Sequence, residues 1–184
     1  MVKPVETVSY GVLQNVEFPA DIRGLNIAEL NTLAREIREL IIQTVSSRGG
    51  HLASSLGTVE LTLALHYVFD TPQDKIVWDV GHQAYAHKII TGRKKDFVNL
   101  RKQDGISGFP RREESSYDVF NVGHSGTSIS AAAGFTEAGC LKGDRKKIIA
   151  VIGDGSMTTG MAFEGLNWAG DRKKNMIIVL NDNE

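Results

Sequence analysis

The sequence predicts an α/β fold: a parallel sheet with flanking helices. Short apolar runs at 75–79, 147–152 and 176–180 alternate with stretches of helical periodicity, the pattern of strands joined by crossover helices. The last two runs end in Gly153-Asp154-Gly155 and Asn181-Asp182-Asn183, so as neighbouring parallel strands they would bring a carboxylate, a glycine turn and a carboxamide to one place. A chain of 184 residues suffices for one domain with a buried core.

The elements follow in order. Residues 1–25, punctuated by Pro4 and Pro19, read as an irregular N-terminal segment. Asn26 has the character of an N-cap, with Glu29 placed to complete a capping box. Ile27, Leu30, Leu33, Ala34, Ile37, Leu40, Ile41 and Val45 then recur at helical spacing until Gly49-Gly50 stops the helix. A second apolar helix is expected over 58–69, ended by Pro72. The strand 75–79 leads through Val80-Gly81 into a helical stretch over 83–91. Residues 101–119 form an extended loop, of a length that often carries function. Residues 119–122 read as a short strand and the alanine-rich 129–141 as a helix halted near Gly143. Residues 147–152 are the clearest strand, 160–169 its crossover helix, and 176–180 the next strand.

Composition excludes several classes. With 21 Lys and Arg against 22 Asp and Glu, the net charge of −1 offers no electrostatic case for nucleic acid or an anionic membrane. Arg93-Lys94-Lys95 reads as a solvated patch. The single cysteine, Cys140, excludes an internal disulfide and, in a small-residue helix, is expected to be a buried structural thiol. Residues 1–18 lack the basic start and apolar core of a signal peptide, and no apolar run approaches the ~20 residues that span a bilayer. A cytoplasmic location is the expectation.

Three of the five histidines follow a glycine and open a loop before a helix: Gly50-His51, Gly81-His82 and Gly123-His124. Singly, each is equally an ordinary loop histidine. Three at matching positions, two of them just after expected strands, point to a ligand, because ligands bind outside the carboxyl ends of parallel strands. Imidazole shuttles protons and hydrogen-bonds phosphate near neutral pH. His66 and His87 lie on helices and are assigned structural roles. Residues 123–128, Gly-His-Ser-Gly-Thr-Ser, have the composition of an anion cradle and equally of a hydroxyl-rich helix cap. Gly153-Asp154-Gly155 is neither a Walker loop nor a dinucleotide fingerprint. A carboxylate between glycines suits Mg²⁺, which takes hard oxygen ligands and often shares its shell with a diphosphate.

Gly-Asp-Gly followed, one helix and one strand later, by asparagine is the thiamine diphosphate motif. Gly49-Gly50-His51-Leu52-Ala53-Ser54-Ser55-Leu56-Gly57, Trp78-Asp79-Val80-Gly81-His82-Gln83-Ala84-Tyr85 and Gly105-Ile106-Ser107-Gly108-Phe109-Pro110 resemble the 1-deoxy-D-xylulose-5-phosphate synthase family, as do 153–170 and 180–184. The likeness runs from Tyr10 to the last residue and favours this family over transketolase.

The resemblance implies that residues 26–184 are a partial, truncated thiamine-diphosphate-binding domain. It implies an enzyme that joins pyruvate, with loss of CO₂, to glyceraldehyde 3-phosphate, using thiamine diphosphate and Mg²⁺, as a homodimer when complete. Asp154 and Asn183 would ligate the metal. Gly155, Ser156 and Asn183 would meet the diphosphate, and His82, Gly123, His124 and Ser125 would line the cofactor site. His51 would transfer protons near the reacting carbon, and Asn181 is the less favoured metal ligand. Two departures stand out: Gly126 where the family has a second serine, expected to loosen the loop, and Ala86 where it has proline. The family's pyrimidine-binding domain and its glutamate lie beyond these 184 residues, so this chain alone is expected to be inactive. Two other readings remain: the N-terminal subunit of a split transketolase, and a non-catalytic phosphate- or metal-binding domain.

Overall fold

A computed structural model of the chain describes residues 10–182. Asn183, assigned above to metal and cofactor, lies outside the described residues, as does Pro4.

A 3₁₀ turn at Leu13–Asn15 and a one-turn helix α1 (Pro19–Ile22) precede the long helix α2 (Ile27–Arg48). The segment expected to be irregular is thus partly ordered, because its polar backbone finds partners on α2. Glu36 accepts hydrogen bonds from the amides of Gly11 and Leu13 at 2.7 and 2.6 Å, and Leu13 and Ile22 are fully buried. The α2 capping box is present: Glu29 N donates to Asn26 Oδ1 at 3.1 Å and Asn26 N to Glu29 Oε2 at 2.8 Å. Leu33, Ala34, Ile37, Leu40, Ile41 and Val45 are buried as the periodicity requires, whereas Ile27, at the first turn, is exposed.

After Gly49 come α3 (Leu52–Gly57), which the periodicity did not announce, and α4 (Val59–Val68). Strand β1 (Lys75–Trp78) leads to a short α5 (Tyr85–Lys88). The expected helix over 83–91 is cut back because its continuation, Ile89–Arg93, is a widened turn with non-helical Thr91 and Gly92 (φ 86°). A 3₁₀ turn at Asp96–Asn99 precedes the long loop. No strand forms at 119–122: Arg112 N donates to Asn121 Oδ1 at 2.7 Å, so a side chain holds this segment where a ladder was expected.

Helix α6 (Ser128–Lys142), β2 (Ile148–Gly153), the single turn α7 (Asp154–Met157), α8 (Gly160–Arg172) and β3 (Ile177–Asn181) complete the order. The three strands are parallel in the order β1-β2-β3, and Gly153 pairs with Asn181. Val77, Ile148, Ala150 and Ile152 face α6 and α8, while Ile76, Trp78, Ile149 and Val151 face α4 on the other side. This alternation on a sheet covered on both faces makes its strands almost continuously apolar. Helices α6 and α8 approach closely at Gly165, where a Cβ would meet Ile129 Cγ2 at 3.0 Å.

Two composition-based expectations are corrected. Cys140 is exposed, because α6 has by then run past its core positions Ile129, Ala132, Ala133 and Thr136. Of the expected basic patch only Lys95 is exposed. Arg93 is buried against Asp118, and Lys94 Nζ donates to the carbonyls of Leu13 and Val16 at 2.7 and 2.6 Å.

Candidate active site

The site lies at the carboxyl ends of β1, β2 and β3. Directly after β1, Gly81 N donates to Asp79 O at 2.5 Å across Val80, whose φ is +56°. A β-branched residue at positive φ is a strained outlier, and it throws His82 out of the strand line. Gly81 (φ +86°) leaves no room for a side chain: a Cβ would stand 2.5 Å from Pro110 Cδ and from Val122 Cγ2. Gly50 (φ +145°), before His51, is similar, with Tyr85 Oη 2.6 Å from its would-be Cβ. Both glycines are dictated by φ and by close approach. Gly123 has open space around it, so the third Gly-His pair is not built the same way.

The structure brings two of the three histidines together. The His51 and His82 rings meet edge to face with centroids 5.6 Å apart, and Phe109 lies 5.5 Å from His51. Tyr85 Oη accepts from His51 N at 3.3 Å, and Ser55 Oγ donates to His82 O at 3.0 Å. Burial lowers the pKa of both histidines, reinforced at His51 by Arg101 and at His82 by His51, with Asp79 opposing. Both rings are therefore neutral at pH 7, the form that takes up a proton.

His124 is exposed, and its Nδ1 lies 2.9 Å from the Ser125 carbonyl oxygen. A carbonyl only accepts, so the neutral ring carries its proton on Nδ1 and leaves Nε2 as an acceptor. The expected anion cradle at 123–128 is partly filled by the protein itself. Asp79, almost fully buried, accepts from Gly126 N at 2.8 Å and Ser128 N at 2.9 Å. Gly126 is not a loose point either: it sits at φ +81° with Thr159 packed over its α-carbon.

A cavity of about 350 Å³ is lined by Ser54, His82, Gln83, Ser125, Asn181 and the 153–156 turn. It gathers His82, Ser125, Gly155 and Ser156 with Asp154, all named from the sequence, while His51 borders it through His82. Asp154 is exposed and accepts no hydrogen bond among the described residues, and a Cβ on Gly155 would meet nothing within 4 Å. His51 Nδ1, His82 Nδ1 and Gln83 Oε1 are buried without partners. Unpartnered buried polar atoms beside an open polar cavity call for a polar ligand. The donor set fits a diphosphate with a hard cation at Asp154: one carboxylate, the Asn181 carboxamide at the neighbouring strand end, and room for phosphate oxygens. Among the described residues no cluster of three or more His, Cys, Asp or Glu could hold a metal by itself, as a site completed by phosphate oxygens and a carboxamide would not need.

A family model described as 1-deoxy-D-xylulose-5-phosphate synthase matches residues 13–184. The chain belongs to this family. It is 68% identical over 176 residues to the 1-deoxy-D-xylulose-5-phosphate synthase of Syntrophus aciditrophicus, covering 96% of this chain and 27% of the relative. The synthases of Syntrophotalea carbinolica and Dictyoglomus thermophilum are 64% and 63% identical over 94% of this chain. The chain therefore spans about 27% of the length of the curated relatives it matches. A transketolase from Campylobacter jejuni superposes with a TM-score of 0.75 at 24% identity, over 85% of this chain and 28% of that one, which bears out the α/β fold.

Within the synthase framework, sequence reading missed four residues that shape the site. Asp79 and Gln83 stand inside a motif already singled out, and only burial separates their roles from that of His82. Ser54 enters through a helix not foreseen, and Phe109 through a loop whose path follows from long-range contacts.

Proposed function

We propose that this chain is the cofactor-binding N-terminal part of a 1-deoxy-D-xylulose-5-phosphate synthase, which condenses pyruvate with glyceraldehyde 3-phosphate and releases CO₂. The observation that carries the reading is the Asp154 cavity beside the paired histidines, in a chain 68% identical to such a synthase. When bound, thiamine diphosphate would supply a nucleophilic carbon and an electron sink for the decarboxylation. Asp154 and Asn183 would hold Mg²⁺, and Asn183, Gly155 and Ser156 the diphosphate. His82, Gly123, His124 and Ser125 would line the cofactor. His51, neutral and half-buried, would move protons near the reacting carbon. The complete protein is read as a cytoplasmic homodimer. Among the described residues no helix is long and apolar enough to cross a membrane.

The deciding experiment is calorimetry on the full-length synthase carrying this sequence. Thiamine diphosphate should bind only with Mg²⁺ or a similar cation, and Asp154→Ala should abolish binding. Undiminished affinity in that variant would refute the assignment.

A further inference from the structure

Residues 105–120 pass beside His51 and contain neither helix nor strand. Phe109 lies against His51, and Pro110 closes over Gly81. Two carboxylates hold this loop. Glu114 Oε1 accepts from Ser107 N at 2.7 Å, and its Oε2 accepts from Lys88 Nζ at 2.5 Å. Asp118, with no side-chain exposure, accepts from Arg93 Nη1 at 2.6 Å and Nη2 at 2.9 Å. It also accepts from the backbone of Arg111 at 2.7 Å and from His87 Nε2 at 2.9 Å.

Behind Asp118 the hydrogen bonds run in one direction. With the carboxylate ionised, His87 Nε2 must donate, which leaves His87 Nδ1 to accept from His66 Nε2 at 2.9 Å. His66 Nδ1 then accepts from Thr71 Oγ1 at 2.7 Å. Every ring nitrogen is used and both rings are neutral, in keeping with the downward pull of burial on both pKa values. Burial by itself would raise the Asp118 pKa, but the bonds from His87 and Arg93 outweigh it and hold the carboxyl far below its usual range.

Buried ion pairs of this kind contribute little net stability relative to apolar side chains of the same volume. Here they join Lys88 and Arg93 to Glu114 and Asp118, residues of elements distant in sequence. We propose that Asp118 and Glu114 are positioning residues that clamp the 105–120 loop to Lys88 and Arg93 and so hold Phe109 against His51. The inference rests on the synthase reading for its catalytic consequence but not for the clamp itself.

The test uses the full-length synthase with Asp118→Asn, Glu114→Gln and Phe109→Ala, read by hydrogen–deuterium exchange, cofactor calorimetry and steady-state kinetics. Both carboxylate variants should speed exchange over 105–112 by about tenfold or more while β1 and β2 keep their protection. Their kcat should fall between about tenfold and 10²-fold, the scale of a slightly misplaced reacting group, with cofactor Kd changed by less than about threefold. Phe109→Ala should lower kcat with normal exchange over 113–118. If Asp118→Asn does not fold, the half-buried Glu114 still provides the test through Glu114→Gln. Folded carboxylate variants with unchanged kcat would overturn the proposal, as would loss of protection spread evenly over β1 and β2, which marks a merely structural role. A wild-type enzyme without synthase activity would defeat the functional reading, and the exchange data alone would then decide the clamp.

Discussion

Gly126 and Thr159 share one space. A Cβ built on Gly126 would stand 2.0 Å from Thr159 Oγ1 and 2.9 Å from its Cβ, with Gly126 held at φ +81°. The Thr159 hydroxyl in turn donates to Ser156 O at 2.9 Å, so this contact ties the His124–Ser125 loop to the turn that presents Asp154.

Gly126→Ser should therefore destabilise the protein by about 1–3 kcal/mol, combining backbone strain with collision. Thr159→Ala in the same chain should recover the collision component and leave the backbone component. Urea unfolding of the single and double variants measures this, and strictly additive energies would show that the two positions are independent.

Asp79 anchors the start of α6 from the end of β1. Asp79→Ala leaves two amide donors without their acceptor, at about 1–3 kcal/mol each. Asp79→Asn, which keeps one acceptor oxygen, should cost less. Equal losses in the two variants by chemical denaturation would mean that the amides find other partners.

His51→Gln in the full-length synthase should lower kcat by about 10²-fold or more, the usual scale for a lost general acid–base. Cofactor affinity should be retained, because His51 is not among the residues assigned to the diphosphate. Near-normal turnover would return His51 to a packing role beside Phe109.

Stability should fall as the medium is acidified through the range of free histidine. His66 and His87 are buried with lowered pKa values, so below about pH 6.5 the unfolded chain takes up protons that the folded chain refuses. That difference favours unfolding by up to about 1.4 kcal/mol per pH unit for each such proton. The sign is opposite to that of a histidine stabilised as a cation. Denaturation midpoints between pH 7.5 and 5 should show the decline, and His66→Gln should make it shallower; a flat profile would contradict the neutral assignment.

Strand β3 pairs only with β2 among the described residues, and Leu180 is exposed. An apolar strand with an open edge recruits other chains. The 184-residue chain produced alone should self-associate in light scattering and release no CO₂ from pyruvate with added Mg²⁺ and thiamine diphosphate. A monodisperse, active monomer would contradict both parts.

The sequence by itself determined whatever depends on local pattern. The parallel strands at the carboxyl ends of which Asp154 and Asn181 meet, the capped helix α2 and the helices α6 and α8 are legible because period, caps and glycine stops are properties of contiguous residues. The motif around Gly153-Asp154-Gly155 and the three Gly-His pairs were legible for the same reason, whereas the pairing of His51 with His82 came from the tertiary structure. Only the tertiary structure decided that Asp79 would occupy amides read as a ligand cradle, that Arg93 and Lys94 would be buried, and that Cys140 would face out. It also decided that Val119 to Val122 would remain a loop and that Gly126 would be rigid. Each of these turns on which distant group arrives to take a hydrogen bond, a charge or a volume, and no local periodicity records that arrival.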